Sequence, residues 1–177
     1  MGVLPARTLL LLLATALPLA AGEPSALSKS EEGPALESQE AALSAYRAGD
    51  RTRAAAIWEA RLEAGEGVGE ALAGLLRVAL REDDLEGAAE WARRAEVLAP
   101  ESAPALAARG ERLLREGELG EARALLRRAL ETEPEEPRAW LGLGRLRLAS
   151  FRRGEGAAAL REAFRLDPGD PEIVRLH

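Results

Sequence analysis

The chain has no cysteine, a single histidine and few aromatic residues, and these absences exclude several classes of protein. Without cysteine it can form neither a disulfide framework nor a cysteine metal cluster. Aromatic residues make up 3% of its 177 residues, too few for the strands of a β-sandwich. The one histidine is the last residue, His177, so the sequence predicts neither a Ser/His/Asp triad nor a histidine metal site.

Other motifs of catalysis are missing as well. The acidic pairs Asp83-Asp84 and Glu135-Glu136 lie at predicted helix ends, and adjacent carboxylates do not converge on one substrate atom. The glycine-rich run 65–69 lacks the Lys-Ser/Thr ending and the preceding strand of a phosphate-binding loop. We therefore expect a protein that is not an enzyme and that has no catalytic residues, no metal and no cofactor.

Helix-forming residues dominate the chain. Ala, Leu, Glu, Arg and Lys supply about two thirds of it, which predicts an all-α fold. The apolar 47% is mostly Ala and Leu, so we expect helices that approach each other closely. A net charge of −6 argues against nucleic acid as the main partner, because binding to phosphates needs a basic surface.

The N-terminal segment 1–22 has the pattern of an export signal. Arg7 precedes an apolar run over residues 8–19, and the small residues 20–22 follow. This order is typical of a secretory signal peptide, here cleaved after Gly22. The run is shorter than the roughly 20 residues of a spanning helix and contains Pro18. We expect export to a periplasm or, alternatively, secretion; an uncleaved anchoring helix is a further alternative.

Gly22 argues against a lipid anchor, because it stands where bacterial lipoproteins carry the cysteine that is acylated. We therefore expect no stable membrane anchor once the signal peptide is removed. Residues 23–34 are rich in Ser, Glu and Pro and poor in apolar side chains, which predicts a flexible linker. Of the lysine and arginine residues, all except Lys29 are arginine, which indicates GC-rich coding and favours a bacterial source.

Prolines recur at a fixed interval through the rest of the chain. Pro100, Pro134 and Pro168 are 34 positions apart, and Pro137 and Pro171 have the same separation. A fixed period of this length is typical of a helical repeat array. The chain divides into four blocks and a short C-terminal helical stub: 35–68, 69–102, 103–136, 137–170 and 171–177.

Small and apolar positions define two helical faces in each block. Positions four, seven, eight and eleven lie on one face of a first helix, and positions twenty, twenty-four and twenty-seven on one face of a second. Glycine-led pairs such as Gly49-Asp50 are typical of the turn between them, and a proline at position thirty-two ends the second helix. One pair cannot bury its own apolar face, so the blocks must stack.

These positions are those of the tetratricopeptide repeat, which the blocks resemble. The fourth block matches best, with Trp140, Leu143, Gly144, Gly156, Leu160, Ala163 and Pro168. The first block is degenerate, because Arg61 and Glu66 stand where Ala and Pro are usual. The resemblance implies an α-solenoid of four helix–turn–helix repeats in a right-handed superhelix. It also implies a protein-binding adaptor without catalytic activity, as in envelope assemblies of the pilus or secretion type.

Two places depart from the family pattern. Arg109 and Arg147 occupy positions where apolar residues are usual, so either the register slips or these side chains reach outward. Block four has Phe151-Arg152-Arg153 in place of a glycine-led turn, which predicts a turn of different shape.

The resemblance further implies that the first helices line a concave groove. Positions nine and thirteen of these helices give the candidate groove residues Arg47, Arg77, Arg81, Arg115 and Arg145. A row of arginines predicts a partner that is an acidic extended peptide, a helix face rich in Glu and Asp, or a free carboxylate. The alternative is that these cations only stabilise helix C-terminal ends through the helix dipole.

The C-terminal edge gives a competing hypothesis. Residues 171–177 begin another first helix and provide no long capping helix, so we expect apolar side chains of block four to be incompletely covered. The candidate edge interface consists of Leu160, Phe164, Leu166, Ile173 and Val174. An exposed patch there would make the chain a structural or self-associating subunit of an envelope assembly, with a homo-oligomer as its product.

Overall fold

Helices and short turns alternate along residues 36–177, which are the residues that the computed structural model describes. The signal peptide and linker predicted for residues 1–34 lie outside this range. The helices are α1 (Gln39–Arg47), α2 (Arg51–Glu63), α3 (Val68–Arg81), α4 (Leu85–Leu98), α5 (Ala103–Glu116), α6 (Leu119–Thr132), α7 (Pro137–Ala149), α8 (Arg153–Leu166) and α9 (Pro171–Leu176). Within this part of the chain, none of the helices has the length and apolar character needed to cross a bilayer.

The helices pack as pairs, and the pairs stack. α1 packs on α2, α3 on α4, α5 on α6 and α7 on α8, each pair being joined by a short turn. The first helices of successive pairs, α3, α5 and α7, also contact each other, as expected for repeats that cannot bury their apolar faces alone. The fold over residues 36–177 is therefore an all-α solenoid of helix–turn–helix repeats. The short α9 begins the next unit and packs on α8.

Small residues allow the helices to approach each other. The alanines at position twenty-seven, Ala95, Ala129 and Ala163, are completely buried between helices. Gly74 of α3 lies against the ring of the buried Trp58, and a Cβ at this position would overlap the ring. The core is therefore filled mainly by Leu and Ala, with Trp58 as a large side chain near the first turn of the solenoid.

The four turns inside the repeats share one backbone geometry. Their central residues are 34 positions apart and have positive φ angles of 86°, 57°, 85° and 59°, in the order Gly49, Asp83, Gly117 and Phe151. In each turn the next residue donates its amide to the carbonyl five positions earlier, at 2.8–3.0 Å. The prediction of a different turn shape in block four is wrong, because these helix-closing hydrogen bonds form there in the same way.

The C-terminal edge is covered by α9. Leu160 and Ile173 are 5% and 0% exposed, and Phe164 stacks on the ring of His177 with 4.2 Å between the centroids. The expectation that block four would be incompletely covered is therefore wrong for Leu160, because Ile173 packs in one cluster with it. Leu166 is half-buried, which leaves Val174, 51% exposed, as the most accessible of the five candidate edge residues.

Candidate functional site: the concave arginine cluster

Four of the five candidate groove arginines line one cavity of about 250 Å³. Arg77 and Arg81 come from α3, Arg115 from α5 and Arg145 from α7. The fifth, Arg47 of α1, lies outside this cavity and lines a neighbouring one together with Arg81. The stacking therefore brings together side chains from three successive repeats that are far apart in sequence.

Helix geometry explains this convergence. Arg77 and Arg81 are four positions apart, so they project from the same face of α3. Arg81 and Arg115 lie in the last turns of α3 and α5, where the helix dipole also stabilises a cation. The stacking of α3, α5 and α7 then places equivalent positions side by side.

A carboxylate of the chain itself lies among these arginines. Glu172, at the start of α9, accepts hydrogen bonds from Arg81 at 2.8 Å and from Arg138 at 2.9 Å through Oε2. Its Oε1 accepts from Arg145. Arg81 also donates to the hydroxyl of Tyr46, at 3.3 Å, so the first repeat joins the network. The concave arginine cluster therefore consists of Arg77, Arg81, Arg115, Arg138 and Arg145, with Glu172 bound among them.

Arg138 is the most buried member of the cluster, at 3% exposed. Besides Glu172 it binds Asp170, which caps α9 by accepting from the backbone amides of residues 172 and 173. Burial alone would lower the pKa of Arg138, but Glu111, Asp170 and Glu172 raise it, so its charge is held. Arg138 therefore links α9 to α7 by ion pairs.

The two glutamates of the cavity have opposite pKa shifts. Burial would raise the pKa of Glu172, but Arg145, Arg138 and Arg81 outweigh it and lower the pKa to about 2. Burial raises the pKa of Glu111, and the charges of Arg138 and Arg77 only partly oppose this. Glu111 Oε1 lies 3.6 Å from Arg138 and has no hydrogen-bond partner within residues 36–177. Glu172 is therefore firmly ionised, whereas ionised Glu111 is poorly compensated.

The remaining groove arginines differ in the hydrogen-bond and ion-pair partners of their guanidinium groups. Arg77 is buried, and its Nε has no hydrogen-bond partner in the described part of the chain. Arg115 is partly exposed and binds the carbonyl of Leu80 and the carboxylate of Asp83, the latter at 2.7 Å. Arg47 pairs with Asp167 at 3.0 Å and connects the first repeat to the last.

Sequence reasoning missed Arg138 and Glu172. Both stand at position two of their blocks, one full repeat apart, and position two faces the groove in the family pattern. Including position two among the groove positions would have identified Arg138 in the fourth block and Glu172 in the C-terminal stub. The guanidinium groups of the arrangement are suited to binding carboxylates. Across residues 36–177, no three metal-ligating side chains come together.

Comparison with known families supports the repeat assignment. Two family profiles, both described as tetratricopeptide repeat, match residues 40–103 and 113–177. No curated protein matches the chain significantly in sequence.

Several solved structures share the fold. A thermophilic tetratricopeptide repeat protein from Thermus thermophilus superposes with a TM-score of 0.59 at 20% identity, covering 78% of each chain. Pseudomonas aeruginosa PilF gives a TM-score of 0.54 at 23% identity, covering 78% of this chain and 65% of that one. The Arabidopsis OM64 repeat domain gives 0.50 at 20% identity, over 61% and 89%. From the matching profiles and this shared fold, the chain belongs to the tetratricopeptide repeat family.

Proposed function

We propose that this protein is a non-catalytic adaptor of the cell envelope that binds an acidic peptide, or the acidic face of a helix, in the concave arginine cluster. Tetratricopeptide repeats are protein-interaction modules, so the partner is a protein or peptide. The observation that carries the acidic specificity is Glu172, whose carboxylate is held by three guanidinium groups of the cluster.

Charge in the cavity supports a second carboxylate beside Glu172. Four arginines and two glutamates line it, and the buried Arg138 lies behind them. Arg77 lines the cavity, and Arg115 and Arg145 are partly exposed to solvent. Guanidinium groups bind carboxylates with short, charge-assisted hydrogen bonds, which favours acidic over amide side chains. An acidic ligand would therefore bind along Arg77, Arg115 and Arg145.

Two matched variants test this groove. The probe is a fluorescein-labelled octapeptide of alternating Glu and Ala, and its control has every Glu replaced by Gln. Arg115→Glu should weaken binding of the acidic peptide at least tenfold in fluorescence anisotropy. Arg112→Glu, on the same helix but paired with Glu116 and lining a different cavity, makes the same charge change and should alter affinity less than twofold.

Two outcomes would contradict the groove proposal. Equal weakening by Arg115→Glu and Arg112→Glu would mean that only net charge matters. Equal affinity for the Glu and Gln peptides would mean that the cluster does not select carboxylates.

The envelope location rests on the export pattern of residues 1–22 and is tested separately. When the full chain is expressed in a Gram-negative bacterium, mass spectrometry of the periplasmic fraction should find a protein that begins at Glu23. Recovery of the uncut chain from the cytoplasm alone would contradict export and leave the groove proposal standing.

A further inference from the structure

A second arginine-lined cavity lies between α6, α7 and α8 and has a volume of about 470 Å³. Its charged residues are Arg123 and Arg127 of α6, Arg147 of α7, Arg152 of the following turn and Glu155 of α8. This surface, the basic cleft, shares only Leu146 with the cavity of the concave arginine cluster. The two are therefore separate places on the molecule.

The preceding repeat contains an equivalent cavity, the reference cleft, with which the basic cleft can be compared. The corresponding cavity one repeat earlier, between α4, α5 and α6, has about 400 Å³ and is lined by three arginines and two glutamates. There Ala89 occupies the position equivalent to Arg123, and Leu113 the position equivalent to Arg147. The basic cleft has four arginines and one glutamate. Its positive charge is therefore not a consequence of the fold that both clefts share.

The basic cleft has one carboxylate, Glu155, for its four arginines, and that carboxylate forms no short hydrogen bond with them. Glu155 lies 3.7 Å from Arg147 and 3.8 Å from Arg152, longer than a hydrogen bond in both cases. In the reference cleft, by contrast, Glu96 pairs with Arg109 at 3.1 Å. The guanidinium groups of the basic cleft can therefore take further acceptors.

An exposed aromatic residue adjoins the cleft in the turn between α7 and α8. Phe151 lies between Ser150 and Arg152, which both line the cleft, and its side chain is 87% exposed. Its φ of 59° is in the left-handed region, which disfavours a large side chain, and two of the equivalent turns have glycine there. Phe151 therefore offers an exposed apolar surface beside the arginines of the cleft.

We propose that the basic cleft and Phe151 form a second docking site, which binds an acidic helical segment of a partner protein. Arg123 and Arg127 are one helical turn apart on α6. They therefore match carboxylates spaced i and i+4 on the bound segment. An apolar side chain next to those carboxylates would contact Phe151.

The neighbouring turns favour a protein partner over an anionic membrane. Arg115, at the end of α5, contacts Asp83 in the turn after α3, so the intra-repeat turns lie along one edge of the solenoid. The two turns before Phe151 are acidic, with Glu82, Asp83, Asp84, Glu116 and Glu118. A bilayer that met Phe151 along this edge would also meet these carboxylates, which anionic lipids repel. A helical segment can contact the basic cleft alone.

The absence of cysteine allows a local reporter. Ser150→Cys, labelled with an environment-sensitive fluorophore, places the only thiol in the basic cleft. The probe is a 15-residue alanine-based helix with Glu at i and i+4 and an adjacent Leu, and its control carries Gln for Glu. The double change Arg123→Ala, Arg127→Ala should weaken binding at least tenfold, and Phe151→Gly about threefold to fivefold.

Matched controls separate this site from its reference cleft and from the groove. The double change Arg93→Ala, Arg109→Ala removes the same charge from the reference cleft and should alter the Ser150 signal less than twofold. Arg115→Glu, in the concave arginine cluster, should also alter the signal from position 150 less than twofold. Failure of the groove proposal would therefore not affect this measurement.

Three results would overturn the docking site. The first is equal weakening by both double changes, and the second is equal binding of the Glu and Gln helices. The third is a Phe151-dependent response to phosphatidylglycerol vesicles without a response to the acidic helix, which would identify the cleft as a membrane-binding surface.

Discussion

The concave arginine cluster and the basic cleft are both rich in arginine, but they differ in how closely carboxylates of the chain pair with it. In the cluster, Glu172 lies within 2.9 Å of Arg81 and Arg138, and Asp170 adds a second carboxylate to Arg138. In the basic cleft, Glu155 is the one lining carboxylate, at 3.7 Å or more from its arginine partners. The difference follows burial, because Arg138 is nearly inaccessible whereas Arg152 is largely exposed.

Burial of a charge requires a partner inside the protein, because the interior cannot replace water around an ion. Arginines of the cluster therefore hold α9 through Glu172, and four of its five arginines also line a cavity. The arginines of the basic cleft are more exposed and need no carboxylate inside the protein, so their charge can be offered to a partner. Replacing one acidic residue in the cluster and one in the basic cleft should therefore change the stability of the folded chain by different amounts.

The largest effect is expected for Glu172→Gln. A carboxyl whose pKa falls from 4.5 to about 2 on folding stabilises the folded state by about 3 kcal/mol when ionised. Removal of its charge should therefore lower the free energy of unfolding by about 3 kcal/mol at pH 7, measured by urea denaturation. Glu155→Gln in the basic cleft should change it by less than about 0.5 kcal/mol.

The pH dependence gives the sign of this effect. The pKa of Glu172 is lowered by folding, so its stabilisation is complete above pH 4.5 and is lost as the pH falls towards 2. The difference in stability between the wild type and Glu172→Gln should shrink over that range. A difference that stays constant down to pH 2 would show that Gln disturbs packing and that charge is not the cause.

A change in the opposite direction is expected for Glu111→Gln. Burial raises the pKa of Glu111, so this carboxyl favours the folded state when neutral and opposes it when ionised. The variant should match the wild type at acid pH and become the more stable protein as the pH rises to neutrality. Urea midpoints between pH 3 and 8 measure this, with exposed Glu121→Gln as control. Lower stability at pH 7 would mean that pairing with Arg138 outweighs burial.

Much of the fold could be predicted from the 34-residue period, whereas the ion pairs could not. The period located the helical pairs and indicated which arginines share a face. The pairs Arg81–Glu172 and Arg47–Asp167 join residues 91 and 120 positions apart. Whether such residues meet depends on the curvature accumulated over all repeats, which no local pattern encodes. The arginine row was therefore visible in the sequence, but its internal carboxylate was not.

Phe151 shows the second limit of local reasoning. Its residue type predicted a different turn, yet the backbone there matches the turns centred on Gly49 and Gly117. The packing of α7 on α8 and the amide hydrogen bond from Arg152 to Arg147 impose the geometry against the preference of the residue. Tertiary contacts therefore determine the turn, and the strain remains in the left-handed backbone conformation of Phe151.

Phe151→Gly has the smallest expected effect, and it tests whether the strained residue takes part in binding. A left-handed conformation costs a residue with a Cβ about 1–2 kcal/mol, and the greater freedom of unfolded glycine offsets about 0.5–1 kcal/mol of the gain. The variant should therefore be more stable by about 0.5 kcal/mol in urea denaturation. Asp83→Gly, in the equivalent turn at a φ of 57°, should gain less, because Asp tolerates the left-handed conformation better than Phe and because the Arg115–Asp83 pair is lost. If Phe151→Gly stabilises the chain and still binds the acidic helix as well as the wild type, the ring has no role at the basic cleft. If the variant is more stable but binds the acidic helix more weakly, Phe151 strains the turn and contributes to binding of the partner.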